Sequence, residues 1–165
     1  MATINAQLAL NSDISSSGLT INKTMQMKKA RSTSGLEFTT GLAKRAFTNN
    51  NHVDLLTAGS GVAADVTASA GSPNETAAKL YIKNVGTDNS KFFTIGKGTS
   101  SGSTDETPIN TNAGTSAYYT IGRLYGQDWM LIPWDAVSAT GDITIQASDA
   151  SASSPMHVEY MIFFE

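Results

Sequence analysis

Two histidines are the residues whose chemistry first suggests catalysis, and each has an acidic residue two positions further along the chain. His52 precedes Asp54, and His157 precedes Glu159. In an extended strand, residues two apart share a face and lie about 7 Å apart, so each pair could orient a general base or begin a metal site. Because no third ligand follows at a motif spacing, the sequence predicts neither a catalytic site nor a metal site.

The glycine-rich segments do not match a phosphate-binding loop. Residues 96–102 have the wrong spacing for a dinucleotide fingerprint, and residues 59–61 lack the Lys-Ser/Thr ending of a phosphate loop. The chain has no cysteine, which removes thiolate nucleophiles, disulfides and most structural zinc sites. We therefore expect a non-enzymatic protein without a cofactor, and a hydrolase centred on His52 and Asp54 is the least favoured alternative.

Alternation of apolar and polar residues is the dominant pattern along the chain, and it predicts strands. The clearest stretches are residues 3–10, 79–85, 142–148 and 156–164. Residues 79–85 and 91–95 are close in sequence, which predicts a hairpin. Low charge (15%) and 14 glycines also favour strands and turns over a helical bundle. We expect an all-β fold of roughly eight to ten strands in a single antiparallel β-sandwich of jelly-roll type.

Domain organisation is predicted to be simple. One sandwich is expected over residues 1–165, a length sufficient to bury a core. Within it, residues 1–35 could form an N-terminal arm or a strand exchanged with a neighbouring subunit. Small and polar residues dominate 58–78 and 96–116, which predicts long surface loops. The chain contains no run of about 18 apolar residues, so no membrane helix is expected.

Two strands near the end of the sequence are apolar on both faces, at residues 129–134 and 156–164. A strand of this kind is either central in a sandwich or covered by another subunit. Pro133 would interrupt a central hydrogen-bond ladder, so the first of these strands is predicted to lie at an edge or to contain a bulge. The two strands are expected to supply the core and a face for self-association.

Charge is unevenly distributed. Residues 1–50 carry six cations and two anions, whereas the remaining residues carry five cations and twelve anions. Such a chain can satisfy its charges on a neighbouring copy or on an acidic partner, although solvated strand faces are the alternative explanation. Nucleic-acid binding fits poorly because the cations are few and not interleaved with aromatic residues. The residues predicted to contact a partner are the cations Lys23, Lys28, Lys29, Arg31, Lys44 and Arg45 and, from the apolar strands, Trp129, Trp134 and Phe163.

Aromatic residues are concentrated in one part of the sequence, and we predict that they cluster in one region of a sheet. They are Tyr118, Tyr119, Tyr125, Trp129 and Trp134. Exposed rings can stack on sugars, which keeps a carbohydrate-binding adhesin module as an alternative function. A cluster of core residues and interface anchors is the other interpretation.

The second half of the chain resembles small virion structural proteins of tailed bacteriophages, notably those that infect marine bacteria and cyanobacteria. The similarity covers roughly residues 77–165 and concerns the pattern of residues along the strands. The stretches that carry it are residues 79–84, 121–125, 128–136, 141–145 and 158–163. The resemblance implies a β-sandwich that assembles on a virus particle and has no enzymatic activity.

From this resemblance we expect a capsid decoration or cement protein on the virion surface, synthesised in the host cytoplasm. Its partners would be the major capsid protein or other virion proteins, with neither nucleic acid nor membrane among them. A homo-oligomer is expected, with a trimer as the favoured state. A neck, tail or fibre-associated virion protein is the alternative within the same class.

Overall fold

The structure, a computed structural model, describes residues 4–11, 20–27, 38–58, 78–98, 119–135 and 141–164. Within these ranges the chain forms eleven β-strands, and no helix there is long and apolar enough to cross a membrane. The strands are β1 (Ile4–Asn11), β2 (Thr20–Met27), β3 (Phe38–Thr39), β4 (Ala43–Phe47), β5 (Val53–Leu56), β6 (Ala78–Asn84), β7 (Phe92–Lys97), β8 (Tyr119–Tyr125), β9 (Trp129–Trp134), β10 (Ile143–Ala147) and β11 (Met156–Phe164).

Strands β3 to β11 form two antiparallel sheets that pack against each other, which confirms the predicted β-sandwich. The front sheet has the order β4-β11-β6-β9, and β3 continues the edge formed by β4 along β11. The back sheet has the order β5-β10-β7-β8. The inward side chains of both sheets form one apolar core, whose fully buried members include Leu55, Leu80, Ile82, Phe93, Ile95, Ile145, Val158 and Tyr160.

When the two strand orders are read from the same end, each position is filled by two strands that are consecutive in the chain, one in each sheet. The pairs are β4 with β5, β6 with β7, β8 with β9, and β10 with β11. The predicted hairpin of residues 79–85 and 91–95 is therefore wrong, because β6 pairs with β11 and β9 while β7 pairs with β10 and β8. A short connection shows that two strands are neighbours, but it does not show that they share a sheet. The finer prediction of a jelly roll stays a prediction.

The last two strands are central. β11 lies between β6 and the β3–β4 edge, and burial alternates along it as far as Met161, after which Ile162, Phe163 and Phe164 are all buried. β10 lies between β5 and β7 and is buried on both faces, including the polar Thr144 and Gln146. Gln146 Nε2 donates a hydrogen bond to the carbonyl oxygen of Asn50 at 3.0 Å, so the segment before β5 covers part of this outer face. By contrast, β9 ends the order of the front sheet, which confirms the edge position predicted from Pro133.

Strand β4 has no counterpart among the predicted strands. Lys44 and Arg45 stand at its centre, and alanine occupies two of its five positions, so its apolar alternation is weak. It forms because it adds to the exposed edge of β11, where Lys44 pairs with Glu159. The two predicted surface loops lie mostly outside the described residues, although Gly96 and Lys97 belong to β7.

The N-terminal strands β1 and β2 form a two-stranded antiparallel sheet of their own. The register places Ile4 opposite Met27 and Leu10 opposite Ile21. In the described part of the chain this hairpin is hydrogen-bonded to neither sheet of the sandwich. Whether residues 1–35 act as an arm stays a prediction, since residues 12–19 and 28–37 lie outside the described ranges.

Candidate interaction surface

The outer face of the front sheet combines charge with exposed aromatic surface. Register aligns Lys44, Glu159, Lys83 and Trp129 in one row across β4, β11, β6 and β9. Opposite charges on adjacent strands stabilise such a row modestly. The row ends at the edge of the sheet with Trp129, whose side chain is exposed. This face can therefore offer both lysine ammonium groups and an indole ring to a partner.

A second aromatic ring lies beside Trp129. The centroids of the Tyr81 and Trp129 rings are 6.2 Å apart, with an angle of 37° between their planes. Partial burial and the nearby Glu159 carboxylate raise the pKa of the Tyr81 hydroxyl above its ordinary value. Tyr81 therefore remains a neutral hydroxyl at physiological pH and can donate or accept a hydrogen bond.

Arg45 lies on the core-facing side of β4 and is engaged within the chain. Its Nη1 donates to the carbonyl oxygen of Asp54 at 3.0 Å, which joins the front sheet to the back sheet. Its Cζ lies 5.2 Å from the centroid of the Phe47 ring, within range of a cation–π contact. Arg45 thus closes the side of the sandwich formed by β4 and β5. Its predicted contact with a partner stays a prediction.

Two of the predicted contact residues lie inside the fold. Trp134 is buried, and its Nε1 donates to the carbonyl oxygen of Gly141 at 2.6 Å. Phe163 is also buried. Their side chains therefore contribute to packing within the chain, and of the apolar residues predicted at the interface Trp129 is the one that the structure places at the surface.

The remaining predicted cations are divided between described and undescribed positions. Lys44 is exposed on the outer edge of the front sheet, and Lys23 is exposed on β2. Lys28, Lys29 and Arg31 lie outside the described residues. Whether the basic segment from Lys23 to Arg45 contacts a partner therefore stays a prediction.

The prediction of a single aromatic cluster is wrong. Tyr119 and Tyr125 lie on β8 in the back sheet, whereas Trp129 and Trp134 lie on β9 in the front sheet. Tyr118 lies outside the described residues. The short turn between β8 and β9 crosses from one sheet to the other, so nearness in sequence does not place these rings on one face.

The imidazole of His52 is enclosed by the fold. His52 immediately precedes β5 and is buried, whereas Asp54 is half-buried. Desolvation lowers the pKa of His52, and the carboxylate of Asp54 opposes this shift. The imidazole of His52 is therefore not presented at the surface of the sandwich.

An open cleft of about 260 Å³ lies where β6 ends and β11 begins, and its lining includes Asn84, Asp88, Lys91 and His157. Its charged groups have partners within the chain. Asp88 Oδ1 accepts hydrogen bonds from Ser90 N and Oγ at 2.9 and 2.6 Å, which lower the pKa of Asp88. Lys91 Nζ lies 2.8 Å from Asp149 Oδ2. No cluster of metal-ligating residues occurs within the described ranges.

No family model, curated protein or solved structure matches this chain. Function must therefore be argued from the surfaces of the sandwich. Leu42, Tyr81 and Ile121 were not among the predicted contact residues, although each contributes to an exposed or half-exposed apolar surface. Their outward position follows from strand register, and no local sequence signal predicts that position.

Proposed function

We propose that this chain is a non-enzymatic structural protein of a bacteriophage virion, acting as a capsid decoration or cement protein. The observation that carries the proposal is the strand order, β4-β11-β6-β9 in one sheet and β5-β10-β7-β8 in the other. This order supports the finer prediction of a jelly roll, an architecture frequent in viral capsid proteins and also found in lectins and cupins. Because one fold hosts many functions, the sequence resemblance to phage virion proteins is the second support.

In the proposed mechanism, exposed cations such as Lys23 and Lys44 contact an acidic surface of the major capsid protein. Apolar surface holds copies of the chain to one another. A cement protein acts by joining neighbouring capsomers, so that many individually weak contacts resist internal pressure together.

Quantitative mass spectrometry of purified virus particles tests the proposal. A copy number equal to that of the major shell protein, or a simple fraction of it, is the expected result. A handful of copies per particle would instead indicate a neck, tail or fibre protein. If the chain is missing from the particle, the virion function is wrong.

A carbohydrate-binding adhesin module is the second candidate, and the exposed Trp129 ring beside Tyr81 favours it. Sugar rings stack on exposed indole, and the flanking Lys83 and Glu159 offer a donor and an acceptor. Binding on a glycan array that is lost in Trp129→Ala, with the fold retained, would favour the adhesin. Tyr119→Ala on the opposite sheet is the matched control, and its binding should be unchanged.

A further inference from the structure

The outward positions of strands β6 and β9 form a strip that combines two cations with two aromatic rings. Its six members are exposed or half-exposed and are paired by register, Lys83 with Trp129, Tyr81 with Leu131 and Lys79 with Pro133. We call these six residues the β6–β9 strip. Because outward residues that are neighbours on one strand lie about 7 Å apart, the strip extends for roughly 13 Å along the edge of the front sheet.

One end of the β6–β9 strip is an aromatic surface beside an ammonium group. Trp129 is 51% exposed, and the centroid of its ring lies 6.2 Å from that of Tyr81. Lys83 is the cross-strand neighbour of Trp129, and the Cβ atoms of such neighbours are about 5 Å apart. A flat ring stacked on the indole would therefore hold its own substituents within reach of the Lys83 ammonium.

The charge of the β6–β9 strip is opposite in sign to that of the whole chain. Lys79 and Lys83 are the charged members of the strip, whereas the chain carries a net charge of −3. Acidic residues flank the strip without belonging to it. Glu159 faces Lys83 from β11, and Asp128 and Asp135 lie just beyond the two ends of β9. This arrangement favours a narrow ligand whose negative charge is placed on the lysines and away from the rim.

We propose that the β6–β9 strip binds an acidic saccharide, in which a uronic acid unit stacks on Trp129 and places its carboxylate on Lys83. The acidic residues around the strip would repel a broad acidic protein surface, whereas a narrow sugar chain can lie between them. A uronic acid carries an apolar ring face and a carboxylate in one rigid unit, so binding costs little conformational entropy. An acidic peptide would have to supply the ring and the carboxylate from two flexible side chains.

The remainder of the β6–β9 strip suits a second sugar unit. The neutral hydroxyl of Tyr81 can donate a hydrogen bond to a ring substituent or accept one from it. Lys79 lies on the same face of β6 as Lys83, about 13 Å further along the strand, so a saccharide that follows the strand meets a second cation. The strip therefore matches a short acidic oligosaccharide better than a single sugar.

Isothermal titration calorimetry of the full chain tests the inference with oligomers of galacturonic acid and of mannuronic acid. Uncharged galactose oligomers and polyglutamate are the comparison ligands. We expect the acidic oligosaccharides alone to bind, and their affinity to fall as salt is raised, because exposed charges are screened. Equal binding of the galactose oligomers, equal binding of polyglutamate, or no binding of either acidic oligosaccharide would overturn the inference.

Variants with matched controls locate the site, and near-UV circular dichroism of each verifies the fold. Lys83→Gln and Trp129→Ala should each raise the dissociation constant about fivefold or more. Lys97→Gln and Tyr119→Ala remove an exposed lysine and an exposed ring from the back sheet, so both should bind like the wild-type chain. Glu159→Gln should lower the dissociation constant, because it removes a carboxylate that competes for Lys83. Equal losses in Lys83→Gln and Lys97→Gln would show that the site lies elsewhere.

The inference rests on the adhesin candidate of the proposed function, but the proposals fail separately. Neutral oligosaccharides bound as tightly as acidic ones, with binding lost in Trp129→Ala, would leave the adhesin standing and remove the acidic ligand. A chain present on virus particles at high copy number that binds none of the oligosaccharides would leave the virion function standing and remove this site.

Discussion

The side chain of Asn84 joins the two sheets of the sandwich through Leu124. Asn84 Nδ2 on β6 donates to the carbonyl oxygen of Leu124 on β8 at 3.0 Å, and Asn84 is buried. Its Oδ1 accepts from Gly86 N at 2.9 Å, and its backbone N–H and C=O bond to Asp128 and Gln127. Every polar group of this buried asparagine therefore has a partner, which is the condition under which a buried amide stabilises a fold.

Replacing this amide by a carboxylate should destabilise the protein. In Asn84→Asp the donor to Leu124 is lost, and a carboxylate oxygen faces a carbonyl oxygen in a buried site. We expect the free energy of unfolding in urea to fall by about 1–3 kcal/mol. Asn89→Asp, in the exposed turn before β7, is the control and should change it by less than about 0.5 kcal/mol. Equal effects of the two substitutions would contradict the role given to Asn84.

Glycine is required at position 126 because the turn between β8 and β9 packs closely against the segment that links β6 to β7. A Cβ at this position would lie 2.9 Å from the carbonyl oxygen of Asp88, in the segment that links β6 to β7. Backbone atoms cannot move aside cheaply, so Gly126→Ala should lower the free energy of unfolding by about 1–3 kcal/mol. Thermal unfolding measures the change. Gly122→Ala, where a Cβ meets no atom within 4 Å, should be tolerated, and a loss there as large as at Gly126 would argue against this packing.

The two tryptophans should report two different environments. Trp134 is buried and donates its indole N–H to Gly141, whereas Trp129 is about half exposed. In dilute solution, Trp129→Phe should leave a blue-shifted emission that acrylamide quenches weakly, and Trp134→Phe should leave a red-shifted, readily quenched emission. Trp134→Phe should also lose about 1–3 kcal/mol of stability, because the carbonyl of Gly141 loses its buried donor. Similar spectra from the two variants would show that the strand assignment of β9 is wrong.

Burial of His52 should make stability depend on pH. The pKa of His52 is lowered from its ordinary value of 6.5 by desolvation, while Asp54 acts in the opposite direction. As pH falls below that ordinary value, the unfolded chain takes up a proton that the folded chain resists. The contribution of neutral His52 to the free energy of unfolding is therefore complete at pH values above the ordinary pKa. It is lost as pH falls through the lowered pKa of the folded state.

Urea unfolding at a series of pH values measures this effect. His52→Gln removes the titrating group, so the variant should lose less stability than the wild-type chain on acidification, even if its stability at neutral pH is lower. His157→Asn retains His52 and should retain the loss. If His52→Gln and the wild-type chain show the same slope of stability against pH, the burial of His52 is not as described.

The sequence predicted the strands whose alternation is strong, and the reason is physical. In β6 and β11, apolar residues at every second position face the core, so the pattern and the buried face agree. β4 escaped prediction because its place depends on the edge of β11, a strand more than one hundred residues away in sequence. Such non-local pairing leaves little trace in the local sequence.

Prediction of the interaction surface was less complete, because exposure depends on which face of a strand meets the core and on what covers it. Trp129 and Trp134 belong to the same strand, yet one is exposed and the other is buried. Arg45 is one of the cations predicted to contact a partner, but its side chain turns inward and donates a hydrogen bond to the backbone carbonyl oxygen of Asp54. These outcomes depend on sheet order and register, which the sequence pattern did not determine.

The position of the central strands has a consequence for folding during synthesis. β10 joins β5 to β7, and β11 joins β4 to β6, so each sheet is held together by a strand that is translated after the strands it connects. Until residues 143–164 have left the ribosome, β4 and β5 have no sheet partner among the described strands. These strands must therefore wait for partners that are about one hundred residues away in sequence, and such long-range contacts slow folding.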